Sequence, residues 1–295
     1  MSPVPFRWNL QHPEQLGSLP LKGAEDYPEF LEDVRCCAAK VLAFSANSDL
    51  VFVGRSPESI FDYLQGTLQG MDWQKQLFLL NLSLRRWPIE EMVKEHAEGL
   101  LALEQQFLRL GLMPQQLLTR SRPVSFVDLV CSGTTLLALY DLLLYWAARD
   151  RIPARAFKDK IRFVGLVEAR PTSPNTWRWH QKAKWPEGAP LLEVKNISIP
   201  YRLWTYLGDH QHKVSRWNPP FCWADDRIES PPREQWHLQA LGQACWVHGQ
   251  AQTVPEKQAF LKLMVQTPAM KESWFRKKVL ELGRRHKADS KNPKP

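Results

Sequence analysis

Residues 124–143 read VSFVDLVCSGTTLLALYDLL. An apolar run carries one acid, Asp128, and gives way to a loop of small residues, CSGTT at 131–135. Behind the loop lies a stretch that is apolar on nearly every side. Val124 to Val130 suits a buried strand, and Leu136 to Ala148 suits the buried helix that follows it. A strand leading directly into a helix is half of a parallel β–α–β unit.

The same alternation runs through much of the chain. Leu50 to Val53 reads as a strand, followed at GRSPES by a helix with Ile60, Phe61, Leu64 and Leu68 at helical spacing. In that helix Ser56 is expected to cap, Pro57 to occupy the first turn and Glu58 to favour the positive end. QLFLLNLSL (76–84), IRFVGLVEA (161–169) and PLLEVKNISI (190–199) read as further strands. Helices are expected over Tyr27 to Ala43, over 89–112 and, at the chain's end, near 255–266 and 268–286. The fold class is therefore α/β, with a mainly parallel central sheet flanked by helices. Three regions are expected: a lead-in and helix at 1–44, the α/β core at 45–200, and an aromatic-rich segment with C-terminal helices at 201–295.

Composition narrows the class further. The 295 residues are 44% apolar and 24% charged, which is ordinary for a globular chain with a real core. MSPVPFRWNLQHPEQ has no charged start leading into an apolar run, and Leu136 to Ala148 is too short to span a bilayer. Five cysteines make neither an even disulfide framework nor a CxxC pair, so a cytoplasmic, non-membrane protein is expected. Of the net charge of +8, most lies after residue 270, where nine Lys and Arg face three Asp and Glu. Such a tail either binds a phosphate-rich partner such as nucleic acid, through counterion release, or is a solvated helix that frays.

The chemistry gathers in two strand-to-helix loops. Ligands of a parallel sheet collect beyond the carboxyl ends of its strands. At 131–135, Cys131, Ser132, Gly133, Thr134 and Thr135 offer backbone N–H groups and hydroxyls at a helix start, and Gly133 lets backbone approach a ligand closely. A capped strand-to-helix turn is the plainer use of the same residues. At 54–56, Gly54, Arg55 and Ser56 place a guanidinium and backbone amides at a second helix start. Neither GxxxxGK[ST] nor GxGxxG occurs.

The stretch VDLVCSGTTL resembles the phosphoribosyltransferase fingerprint: an apolar strand, two acids, a short Gly- and Thr-bearing loop, then a helix. Asp128 falls on the second acidic position, Gly133 and Thr135 on the family's Gly and Thr, and Ser132 and Thr134 on small-residue positions. Val127 stands at the first acidic position, and Cys131 where an Asp or Thr often acts. The resemblance implies the type I phosphoribosyltransferase fold with an aromatic-rich hood. It further implies a 5-phosphate held by 131–135, a diphosphate held by 54–56, and magnesium chelated by diphosphate and ribose hydroxyls. Asp128 would be the catalytic residue, binding those hydroxyls directly or through the metal, while capping the loop's own amides is its plainer use. It also implies a mobile loop between the second and third strands. That interval, 85–123, carries Arg85 and Arg86 at one end and Arg120 and Arg122 at the other, either touching diphosphate or solvated.

Other residues suggest weaker sites. His210, His212, Cys222, Asp225 and Asp226 match no standard zinc spacing. Trp204, Trp217 and Trp223 suit a hood that stacks on a flat substrate, or plain core packing. Cys131 at a helix start has the placement of a nucleophile. Three functions are consistent with these readings. One is transfer of a phosphoribosyl group, as a glycosyltransferase acting on a nitrogen nucleophile. Another is a non-catalytic phosphosugar or nucleotide sensor, contacting nucleic acid through its basic tail. The third is hydrolysis of a nucleotide N-glycosidic bond.

Overall fold

The structure, a computed structural model, describes residues 22–82, 84, 88–170, 178–214 and 234–291. Five strands form one all-parallel sheet: β1 (Asp49–Val53), β2 (Leu77–Leu80), β3 (Val124–Leu129), β4 (Ile161–Glu168) and β5 (Glu193–Ile199). They lie in the order β2-β1-β3-β4-β5. Every pairing is parallel, with Phe52 beside Val127 and Asp128 beside Gly165. The α/β class and the parallel sheet expected from the alternation are thus present.

Both sheet faces are covered, which is why the inner strands are apolar without alternation. One face presents Leu50, Phe52, Val127, Val164 and Ile197. It packs on α1 (Phe30–Phe44), α2 (Glu58–Thr67), α9 (Val254–Gln266) and α10 (Ser273–Lys291). α7 (Tyr201–Thr205) and the π-helical turn Tyr206–His210 add Leu203 and Leu207 to this layer. α8 (Gln235–Gln250) lies against α2, where a side chain on Gly66 would come within 2.4 Å of the His248 carbonyl. The opposite face presents Val51, Val53, Phe126 and Phe163 to α4 (Ala97–Leu110), α5 (Pro114–Thr119) and α6 (Thr134–Arg149).

Four expectations need correction. The helix expected over 89–112 is two, α3 (Ile89–Glu95) and α4, because His96 leaves helical geometry at φ −133° and ψ 39°. The interval 85–123, where the resemblance implies a mobile loop, is filled for the most part by α3, α4 and α5, packed through Met92, Leu103, Phe107 and Leu117. The last helical pattern is split at Glu272, a short 3-10 turn at Pro268–Lys271 preceding α10. Ser56 does not cap α2; Pro57 is the cap residue, with no side-chain cap bond.

A candidate anion crevice at the switch point of the sheet

The strand order reverses between β1 and β3. After β1 the chain turns onto one face to make α2 and returns to β2 on one side. After β3 it turns onto the other face to make α6 and returns to β4 on the other side. The two loops leave neighbouring strands toward opposite faces, the arrangement beside which parallel sheets usually place a ligand crevice at the carboxyl edge. The loops are 54–57 and 130–133, so both candidate loops lie at one place.

The second loop is largely open. Cys131, Ser132 and Thr134 are exposed, Thr135 is half-buried, and Gly133 is buried with φ +82°. The Ser132, Gly133, Thr134 and Thr135 amides donate to no backbone carbonyl among the described residues. They stand at the positive end of a 16-residue helix. The Ser132 and Thr134 hydroxyls are 3.5 Å apart. Gly133 is required for a reason absent from the motif: a Cβ there would fall 2.0 Å from Cε3 of Trp179. Trp179, itself 1% exposed, thus bears on the rear of the loop.

Asp128 lies under this loop rather than in the crevice. It is 7% exposed, and its Oδ1 accepts the Leu129 amide at 2.7 Å. Burial pushes its carboxyl up to about 8, against the opposing pull of the Leu129 amide and the Thr135 hydroxyl. At neutral pH it is mostly a neutral acid tied to the start of α6. Beside it in the sheet, Gly165 makes room for the Trp179 indole, whose Nε1 would lie 2.8 Å from a Cβ at that position.

At the first loop, Gly54 turns the chain off the sheet with φ +74° and donates its amide to the Leu80 carbonyl at 2.8 Å. Arg55 and Ser56 are half-buried. Burial lowers the Arg55 pKa, while Glu58 opposes that shift. Glu58 is 3% exposed and its Oε2 accepts the Val214 amide at 3.1 Å, which seats a distant segment against the start of α2. Beside Val214 is Lys213, only 8% exposed. Its ammonium donates to the Leu207 carbonyl and, at 3.2 Å, to Gln211 Oε1. Neither Lys213 nor Trp179 is legible as a site residue, since each sits in a segment without period and reaches the loops only through the fold.

Except for Trp204, the remaining candidates among the described residues do not reach these two loops. Arg120 and Arg122 donate to Asp49 at 2.6 and 2.9 Å, at the amino edge of the sheet where Asp49 pairs Val124. They immediately precede β3, so they face the end opposite to any ligand. Arg85 and Arg86 lie outside the described residues, as do Cys222, Asp225, Asp226, Trp217 and Trp223. His210 and His212 are exposed and line a separate cavity of about 950 Å³ with Tyr27, Arg202 and Gln243. Trp204 is half-buried, its Nε1 donating to the Val130 carbonyl at 3.4 Å.

The residues do not fit a protein-held magnesium ion. No group of three His, Cys, Asp or Glu suited to a metal occurs among the described residues. Asp128 is buried and already hydrogen-bonded, and Val127, at the first acidic position, is an apolar core residue. Among the described residues no helix is long and apolar enough to cross a membrane. Comparison with protein-family models, with curated proteins and with solved structures finds no match.

Proposed function

We propose that this protein is phosphoribosyltransferase-like and binds phosphoribosyl diphosphate, or a nucleotide, across the switch-point crevice. One observation carries the reading: two loops with anion-binding chemistry leave adjacent strands on either side of the point where the sheet order reverses. The 131–135 loop would hold the 5-phosphate on its amides and on the Ser132 and Thr134 hydroxyls. Arg55 and the backbone of 55–56 would hold the diphosphate, the Gly54 amide being taken by the Leu80 carbonyl. In transfer, the C1–O bond breaks with its electron pair leaving on diphosphate. The lone pair of a nitrogen nucleophile then bonds to C1 and the nitrogen releases its proton. The chain's contribution is electrostatic, from groups fixed before the charge develops. Any magnesium belongs to the substrate complex, arriving with the diphosphate.

A specific observation favours the second reading, a sensor that binds without turnover. Asp128 is buried and mostly neutral at pH 7, and Val127 beside it is apolar, so β3 supplies no ionised carboxylate to a ribose. The basic C-terminal segment would then be the route to a nucleic-acid partner.

Calorimetry with phosphoribosyl diphosphate, with and without magnesium, tests the shared claim. Ser132 is exposed, so Ser132→Asp leaves the fold intact while setting a negative charge in the cradle. It is expected to weaken binding at least about tenfold, the equivalent of about 1.4 kcal/mol. If neither phosphoribosyl diphosphate nor any nucleotide binds the wild type, both readings fail. Binding without release of diphosphate across a panel of bases selects the sensor.

A further inference from the structure

We infer that Lys213, contributed by the distant segment that closes on the start of α2, is the second cation of the diphosphate subsite and acts together with Arg55. The inference rests on the reading of the 54–56 loop given above, and adds to it a residue far away in sequence. Two hydrogen bonds fix that segment. The Val214 amide donates to Glu58 Oε2 at 3.1 Å, and Gln211 Nε2 donates to the Ser59 hydroxyl at 2.7 Å. Lys213 lies between these two ties, over the first turn of α2.

Its burial needs an explanation, because a lysine only 8% exposed is costly without a close ion partner. Lys213 forms no ion pair among the described residues; its ammonium is held by a carbonyl and a carboxamide. Arg55 is close enough to repel it, and Glu58 and Asp209 attract it. The repulsion and the burial leave its pKa lowered to about 8, with burial the larger cause. Two cations are therefore gathered near the positive end of a helix, and the buried Glu58 attracts both. An anion in the 54–56 loop would relieve that repulsion and accept hydrogen bonds from the remaining N–H groups of Lys213 and Arg55. Glu58 retains one carboxylate oxygen, Oε1, buried without a partner. A hydroxyl on the same ligand would donate to it, so the ligand class is a hydroxyl-bearing organic diphosphate, with inorganic diphosphate a weaker probe of the same cations.

The test titrates the full chain with inorganic diphosphate, ribose 5-phosphate and phosphoribosyl diphosphate, comparing wild type with Lys213→Met and Lys213→Arg. Methionine keeps the length and apolar volume and removes the charge, so thermal unfolding is expected at or above the wild-type midpoint. Lys213→Met should weaken inorganic diphosphate at least tenfold and leave ribose 5-phosphate unchanged, while Lys213→Arg recovers most of the loss. Diphosphate affinity of the wild type should fall as pH rises from 7 to 9.5 as Lys213 loses its proton, and the Lys213→Met profile should be flatter. Equal diphosphate affinity in wild type and a folded Lys213→Met overturns the inference. If Lys213→Met unfolds, the Lys213→Arg protein and the wild-type pH profile decide, and a pH-independent affinity overturns it. The phosphoribosyl reading fails separately, if diphosphate binds through Lys213 but ribose 5-phosphate and phosphoribosyl diphosphate show no added affinity from the 131–135 loop.

Discussion

Asp128 shows how burial can reverse the meaning of a motif residue. In the sequence it is the one acid of its own apolar strand and lies near the strand's end, which is the position of a ligand-binding carboxylate. In the fold it faces the layer of α6 and serves the loop above it, through the Leu129 amide and the Thr135 hydroxyl. Its folded pKa of about 8 lies above the ordinary carboxyl value of 3.8. Between those two values the folded state binds more protons than the unfolded state, so this group removes stability as pH rises and has no differential effect below pH 3.8. Asp128→Asn keeps the acceptor and cannot ionise. Wild type should lose stability relative to Asp128→Asn by up to about 1.4 kcal/mol per pH unit between pH 5 and 8. Urea unfolding of both proteins at pH 5, 6.5 and 8 measures this, and a pH-independent difference would show that the carboxyl is ionised throughout. Position on the strand was legible here; depth was not, because it depends on what the fold lays over the strand's end. Gly133 likewise reads as a concession to a ligand, whereas the nearest demand on it is the Trp179 ring.

At the scale of elements, strands and their order of use were easier to read than the connections. β2, β3, β4 and β5 fall within the runs that announce them and β1 exceeds its run only by Asp49, and the inner strands, covered on both faces, need no alternation. The stretch from α3 to α5 was harder, as His96 breaks one apolar period into two helices and Pro114 begins a third. For Arg120 and Arg122 the sequence leaves two readings open, contact with diphosphate or solvation. Knowing that both precede β3 is enough to move them to the amino edge, where they clasp Asp49, itself 5% exposed. Asp49 therefore joins β1 to the segment entering β3, and Asp49→Ala leaves two guanidinium groups without their carboxylate. We expect a loss of about 2–4 kcal/mol in chemical unfolding, with phosphoribosyl diphosphate affinity of the folded protein unchanged. A variant that folds normally but loses the ligand would return these arginines to the site.

For the whole molecule, the main consequence is that one core layer draws on both chain ends. α1 near the start and α9 and α10 near the finish share a cluster with β1, β3, β4 and β5. Buried polar contacts stitch the same layer together: Arg35 Nη1 and the Tyr63 hydroxyl donate to opposite oxygens of Glu256, at 2.9 and 2.8 Å. The closing helices were partly visible as periodic patterns, but α8 was not, because it is buried around much of its circumference and carries Gln, His and Gly at contact positions. The basic surplus drew attention away from the apolar side of α10, where Phe275, Val279 and Leu282 are almost fully buried. Phe275 meets Trp73 edge to face with centroids 6.1 Å apart, while Leu280 on the same helix is 61% exposed. The pair separates a core helix from a solvated appendage. If α10 is part of the core, Phe275→Ala costs about 3–5 kcal/mol of unfolding free energy and Leu280→Ala stays within about 0.5 kcal/mol. Equal, small effects of both substitutions would detach α10 from the core and leave its charges as its chief contribution. A large effect of Phe275→Ala alone would mean that any nucleic-acid contact by this helix is made from a surface anchored to the sheet that carries the crevice.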